Sequence, residues 1–78
     1  MLRSFDMNRV SLRQNAFGGW IIVYAVDERT AWSGSRFVPI TDDGFPASDV
    51  QVPNFDTRDS ATEYAVSVGF EVVAPTIH

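Results

Sequence analysis

Apolar and polar residues follow two rhythms along this chain, a period of two through its first half and a period near 3.6 further on. Val10 and Leu12 alternate with Arg9, Ser11 and Arg13, as side chains do on a strand with one buried face. Phe5 and Met7 fall on the other parity, which predicts a bulge or a late strand start at Asn8. After the Gly18-Gly19 pair, Trp20 to Val26 (WIIVYAV) is β-branched, aromatic and apolar on both parities. Such a run predicts a strand in the middle of a sheet.

The polar DERT cluster separates that run from a second extended segment, AWSGSRFVPI, ending at Ile40. So short a connection predicts a β-hairpin over residues 19–40. Gly34, set between two serines, predicts a bulge, and Pro39 has no N–H for a ladder, so this segment is expected at an edge. Residues 41–49 (TDDGFPASD) predict a loop, with Asp42-Asp43-Gly44 as its turn signal. Val50-Gln51-Val52 predicts a short strand ahead of Pro53.

From residue 57 the rhythm changes. Ala61, Tyr64, Ala65 and Val68 follow i, i+3, i+4, i+7 spacing and predict a helix over 57–68 with one narrow apolar stripe. Asp56 or Thr57 can cap it, Asp59 and Glu63 suit the positive end of its dipole, and Gly69 supplies the stop in a left-handed conformation. Residues 70–73 predict a closing strand, cut off by Pro75. The expected fold is therefore α+β: a small, mostly antiparallel sheet of about four to five strands with one helix on one face, in the order β-β-β-β-α-β. One helix covers such a sheet incompletely, so the opposite face is expected to be partly exposed. The pattern F-x-T-x-x-x-A-x-x-Y-A-x-x-x-G-x-x-x-V, from Phe55 to Val73, resembles the strand, capped helix and strand of several small α+β modules, including an accessory subunit of respiratory complex I. Its matching positions are caps and packing sites, so the resemblance implies a local fold and no activity.

Composition narrows the function. The 78 residues read as one small domain, and a chain of this size buries only roughly 60% of its unfolded surface. Small scaffolds usually gain support from disulfides, a metal or a partner. There is no cysteine and the sole histidine is His78, so good packing or a partner is the expected support. No metal site is expected, since Asp42-Asp43-Gly44 lacks the alternating acids of a calcium loop. Ser33 and Ser35 flank Gly34 without a nucleophile elbow, and without lysine there is no P-loop. Neither an enzyme nor a cofactor nor a small-molecule substrate is expected. The longest apolar run is far short of the about 20 residues that span a bilayer, and the N-terminal residues carry no secretory core, so no membrane association and a cytoplasmic location are expected.

The net charge of −4 is unevenly spread. Residues 1–14 hold three arginines and one aspartate, a net of +2; the rest hold three arginines and nine acids, a net of −6. A basic N-terminal arm or strand on an acidic body does not make the basic face that nucleic-acid binding requires. The aromatic residues remain as candidate binding groups. Trp32, Arg36 and Phe37 combine the residue types that dominate interfaces, and Trp32 suits either a core or an interface. Phe45 either plugs its own loop or meets a partner, with Asp42 and Asp43 beside it. The expected function is a non-enzymatic binding or assembly module that occupies a surface on another protein or on copies of itself. The alternative is an inhibitor encoded by a phage or mobile element, blocking a nucleic-acid-binding protein with an acidic face built from Asp27, Glu28, Asp42, Asp43, Asp49, Asp56, Asp59 and Glu63. The short, acidic, cysteine-free profile is similar to that of small phage-encoded proteins, including inhibitors of bacterial defence.

Overall fold

Five strands form one sheet in the order β4-β3-β2-β1-β5, in a computed structural model that describes residues 9–73. The expected features at Asn8, Pro75 and His78, and the part of the basic arm before Arg9, lie outside the described residues. The strands are β1 (Arg9–Gln14), β2 (Trp20–Tyr24), β3 (Thr30–Trp32), β4 (Phe37–Pro39) and β5 (Glu71–Val72), with the helix α1 (Arg58–Ser67) between the last two. β1 to β4 pair antiparallel in succession, and β5 pairs parallel with β1 through Val10 and Val72. This is the α+β architecture expected, with β2 at the centre of the sheet.

Register builds the core. Leu12 lies opposite Ile22 and Trp32 opposite Phe37, and the Val23–Ala31 pairing sets Ile22 beside Trp32. These four side chains therefore form one row across β1 to β4, on the face that α1 covers. Ala61 and Ala65 of α1 are fully buried against Val10, Leu12 and Ile22. Their methyl groups let the helix lie close to the sheet.

Both helix ends follow from local chemistry. The Thr57 hydroxyl, and not the Asp56 carboxylate, caps the N-terminus by accepting the Ser60 N–H at 3.0 Å. At the other end the Gly69 N–H donates to the Val66 carbonyl and the Phe70 N–H to the Ala65 carbonyl, which is a Schellman closure with Gly69 at φ +95°. Val68 does not join the buried stripe expected of it: as the C-cap it has left helical geometry and is 45% exposed.

Further expectations are corrected. Gly34 is not a bulge, and AWSGSRFVPI is not one strand but β3 and β4 joined by a tight turn. The Ser33 N–H donates to the Arg36 carbonyl at 2.8 Å, and the Ser33 hydroxyl accepts from the Ser35 and Arg36 N–H groups, so the serine supplies the bonds that reverse the chain. Val50 to Val52 form no strand. Instead Val52 packs onto the second sheet face, against the cluster of Ile21, Val23 and Ala31. That face is consequently covered rather than partly exposed: Ile21, Val23, Ala31 and Val38 are all buried. A strand that is apolar on both parities needs cover on both sides, and the segment after β4 supplies it, since the described residues hold no second helix. The same segment doubles back beside β4, with Ile40 bridging Pro46 and the Ala47 N–H donating to the Pro39 carbonyl at 3.0 Å. This pairing shields part of the expected edge.

Candidate contact surfaces

Two groups of side chains stand out, one on each face of the sheet. On the helix face, the Trp32 ring meets Phe70 edge-on at 4.9 Å and Phe37 at 5.2 Å, while Phe37 leans on Tyr24 at 5.0 Å. The indole N–H of Trp32 donates to the Tyr64 hydroxyl at 3.3 Å. Trp32, Phe37, Phe70 and Tyr64 are each half-buried and pack against the Val10, Leu12 and Ile22 core. Offset and edge-on aromatic contacts of this kind rigidify a core margin. Arg36 lies exposed in the adjoining β3–β4 turn.

The second group gathers at the tip of the β1–β2 hairpin, and Asn15 organises it. Its side-chain oxygen accepts the Phe17 and Gly19 N–H groups at 2.9 and 3.0 Å, and its side-chain amide donates to the Asn54 side-chain oxygen at 2.8 Å. The Asn15 backbone N–H donates to the Gly19 carbonyl at 2.8 Å, which closes the turn. A buried asparagine with these partners holds the tip in one conformation. Phe17, at its apex, is 89% exposed and rests on Phe45 with ring centroids 5.1 Å apart.

The 41–45 turn is docked onto this tip. The Ala16 N–H donates to the Asp43 carbonyl at 2.9 Å, and the Arg13 guanidinium donates to the Asp42 carbonyl. Gly44 is required here, because a Cβ at this position would lie 2.9 Å from the Asn15 Cβ and 3.0 Å from its Cα. With the backbone carbonyls of Asp42 and Asp43 so engaged, both residues are left exposed beside the Phe17–Phe45 pair. Between the docked turn and the sheet lies a half-open cavity of about 140 Å³, lined by Ile21, Phe45, Pro46 and Val52, with Asn15, Gly44 and Asn54 around them.

The six residues singled out in the sequence thus separate into two places. Trp32, Arg36 and Phe37 sit together at the helix-face margin, whereas Phe45, Asp42 and Asp43 sit together at the hairpin tip. Phe17 was missed, because AFGG reads as turn punctuation; the available signal was a large apolar residue placed directly before a glycine pair between two strands. The acids do not line up. Asp27 and Glu28 follow β2 at one end of the sheet, Asp42 and Asp43 pack at the other end, where Asp56 follows the Trp20–Phe55 bridge, and Asp59 and Glu63 ride on α1. No group of three metal-ligating side chains occurs among the described residues, and no helix among them is long and apolar enough to cross a membrane. Compared with protein-family models, curated proteins and solved structures, the chain matches none.

Proposed function

We propose that this protein is a non-enzymatic binding module whose contact surface is the β1–β2 tip, with Phe17 and Phe45 as apolar anchors and Asp42 and Asp43 as flanking charges. The observation that carries the reading is a nearly fully exposed phenylalanine held on a hydrogen-bonded turn. Burying a phenylalanine side chain is worth about 1.5–3 kcal/mol, and the free protein forgoes most of that at Phe17. A partner that covers the ring recovers it. Because Asn15 already orders the turn, little conformational freedom is lost on binding.

Trp32 supports the fold in this reading, since its N–H bonds Tyr64 and its ring packs on Phe37 and Phe70 within the chain. The acids lie at both ends of the sheet and on the helix, an arrangement that favours the binding module over the acidic mimic. The test is to identify a protein that co-purifies with the native chain, reconstitute the pair from purified components, and repeat the titration with Phe17→Ser. The reading expects affinity to fall at least about tenfold with an unchanged circular dichroism spectrum. Equal affinity for the substituted chain contradicts it.

A further inference from the structure

The exposed ring and the cavity lie side by side on one tip, and each has what the other lacks. We infer that the protein forms a two-fold dimer in which Phe17 of each copy seats in the half-open cavity beside Phe45 of the other. The inference rests on the reading of the tip as a contact surface and names its occupant as a second copy of this chain.

Size is the first argument. The cavity measures about 140 Å³, close to the engineered apolar cavity of about 150 Å³ that takes up benzene. By volume, the space matches a phenyl ring. The walls suit it as well, since Ile21, Phe45, Pro46 and Val52 are apolar. The Asn15 side chain at the cavity is already paired, its amide donating to the Asn54 oxygen at 2.8 Å and its oxygen accepting the Phe17 and Gly19 N–H groups. An entering ring therefore leaves the bonds of Asn15 intact.

Placement is the second argument. Phe17 leans on Phe45 at 5.1 Å with the ring planes 59° apart, stays 89% exposed, and is not among the residues lining the cavity. It thus leaves its own cavity vacant while standing next to it. A surface that carries a knob and a matching hole close together is self-complementary under a two-fold rotation, in which each knob enters the opposite hole and the assembly closes at two copies.

Charge sets the sign of the salt response. The two-fold arrangement brings Asp42 and Asp43 of one copy toward the same pair on the other, a mild repulsion that added salt screens. Dimerisation should then tighten as salt is raised. A partner with a basic rim around an apolar pocket would show the opposite trend.

The test is sedimentation equilibrium over a wide concentration range, with low and high salt, for the native chain and for Phe17→Ser. It is joined to isotope-filtered nuclear Overhauser spectra on a mixture of labelled and unlabelled copies. The expected results are a monomer–dimer equilibrium that salt strengthens, and contacts between the Phe17 ring of one copy and the Ile21 and Val52 methyl groups of the other. Phe17→Ser should weaken dimerisation at least about hundredfold, tenfold for each of the two rings lost. A chain that stays monomeric at every concentration overturns the inference, as does a dimer whose intermolecular contacts omit Phe17 or that survives Phe17→Ser. If the chain alone is monomeric yet binds a different protein in a Phe17-dependent way, the dimer fails and the binding-module reading stands. If Phe17→Ser changes neither association, both fail.

Discussion

The Trp32 indole N–H donates to the Tyr64 hydroxyl at 3.3 Å, the side-chain hydrogen bond that ties the β3 strand to the helix. The bond spans the aromatic margin of the core, where Trp32 also meets Phe37 and Phe70. Tyr64→Phe removes the acceptor and keeps the ring, so it should cost about 1 kcal/mol in denaturant unfolding. In a double-mutant cycle with Trp32→Phe, the two losses should couple by about 0.5 kcal/mol or more. Strict additivity would mean that the bond adds nothing to stability. Tyr64→Ala removes packing against Phe55 as well, and should cost roughly 3 kcal/mol.

Gly69 closes the helix at φ +95°, with no atom beyond its own chain neighbours within 4 Å of where a Cβ would stand. A substitution there is strained by the backbone alone, since there is room for the side chain. Gly69→Val should therefore destabilise by about 1 kcal/mol or more, and Gly69→Asn by distinctly less, because asparagine tolerates the left-handed region. Equal melting temperatures for the two variants would place the cost somewhere other than the backbone.

Gly44 presents the reverse situation, in which space is short as well. A Cβ there meets the Cα and Cβ of Asn15 at about van der Waals overlap, and φ is +87°. Gly44→Ala should cost about 2 kcal/mol, from overpacking and left-handed strain together. It should also shift the amide resonances of Phe17 and Gly19, whose N–H groups Asn15 holds. A neutral Gly44→Ala with undisturbed tip resonances would show that the 41–45 turn is not docked on the hairpin.

Local chemistry made much of this fold legible. The helix, its Thr57 cap and its Gly69 stop follow from side chains that act within one turn, and the central position of β2 follows from its apolar residues on both parities. The Asp42-Asp43-Gly44 turn forms where its residues predict it, with the Gly44 N–H donating to the Thr41 carbonyl. Features that depend on distant partners were not legible. Val52 reads as a strand residue because β-branching suits strands, yet the uncovered second face of β2 recruits it as a loop plug. The parallel pairing of Val72 with Val10 joins residues from opposite ends of the described chain, and no local pattern encodes it. The proposed contact surface was half legible: Asp42, Asp43 and Phe45 were visible as loop residues, but their meeting with Phe17 depends on the 41–45 turn crossing to the hairpin tip.

Substitution at the two aromatic centres separates folding from association most directly. Unfolding free energy and association should be measured side by side for Phe17→Ser and Trp32→Ala. Phe17 is exposed, so its loss should leave stability within about 0.5 kcal/mol of the native chain while association falls at least about tenfold. Trp32 is packed against Phe37, Phe70 and Tyr64, so its loss should cost about 3 kcal/mol, with the molecules that remain folded associating normally. The contradictory result is the reverse pattern, a stable Trp32→Ala protein that no longer associates beside a Phe17→Ser protein that associates as before.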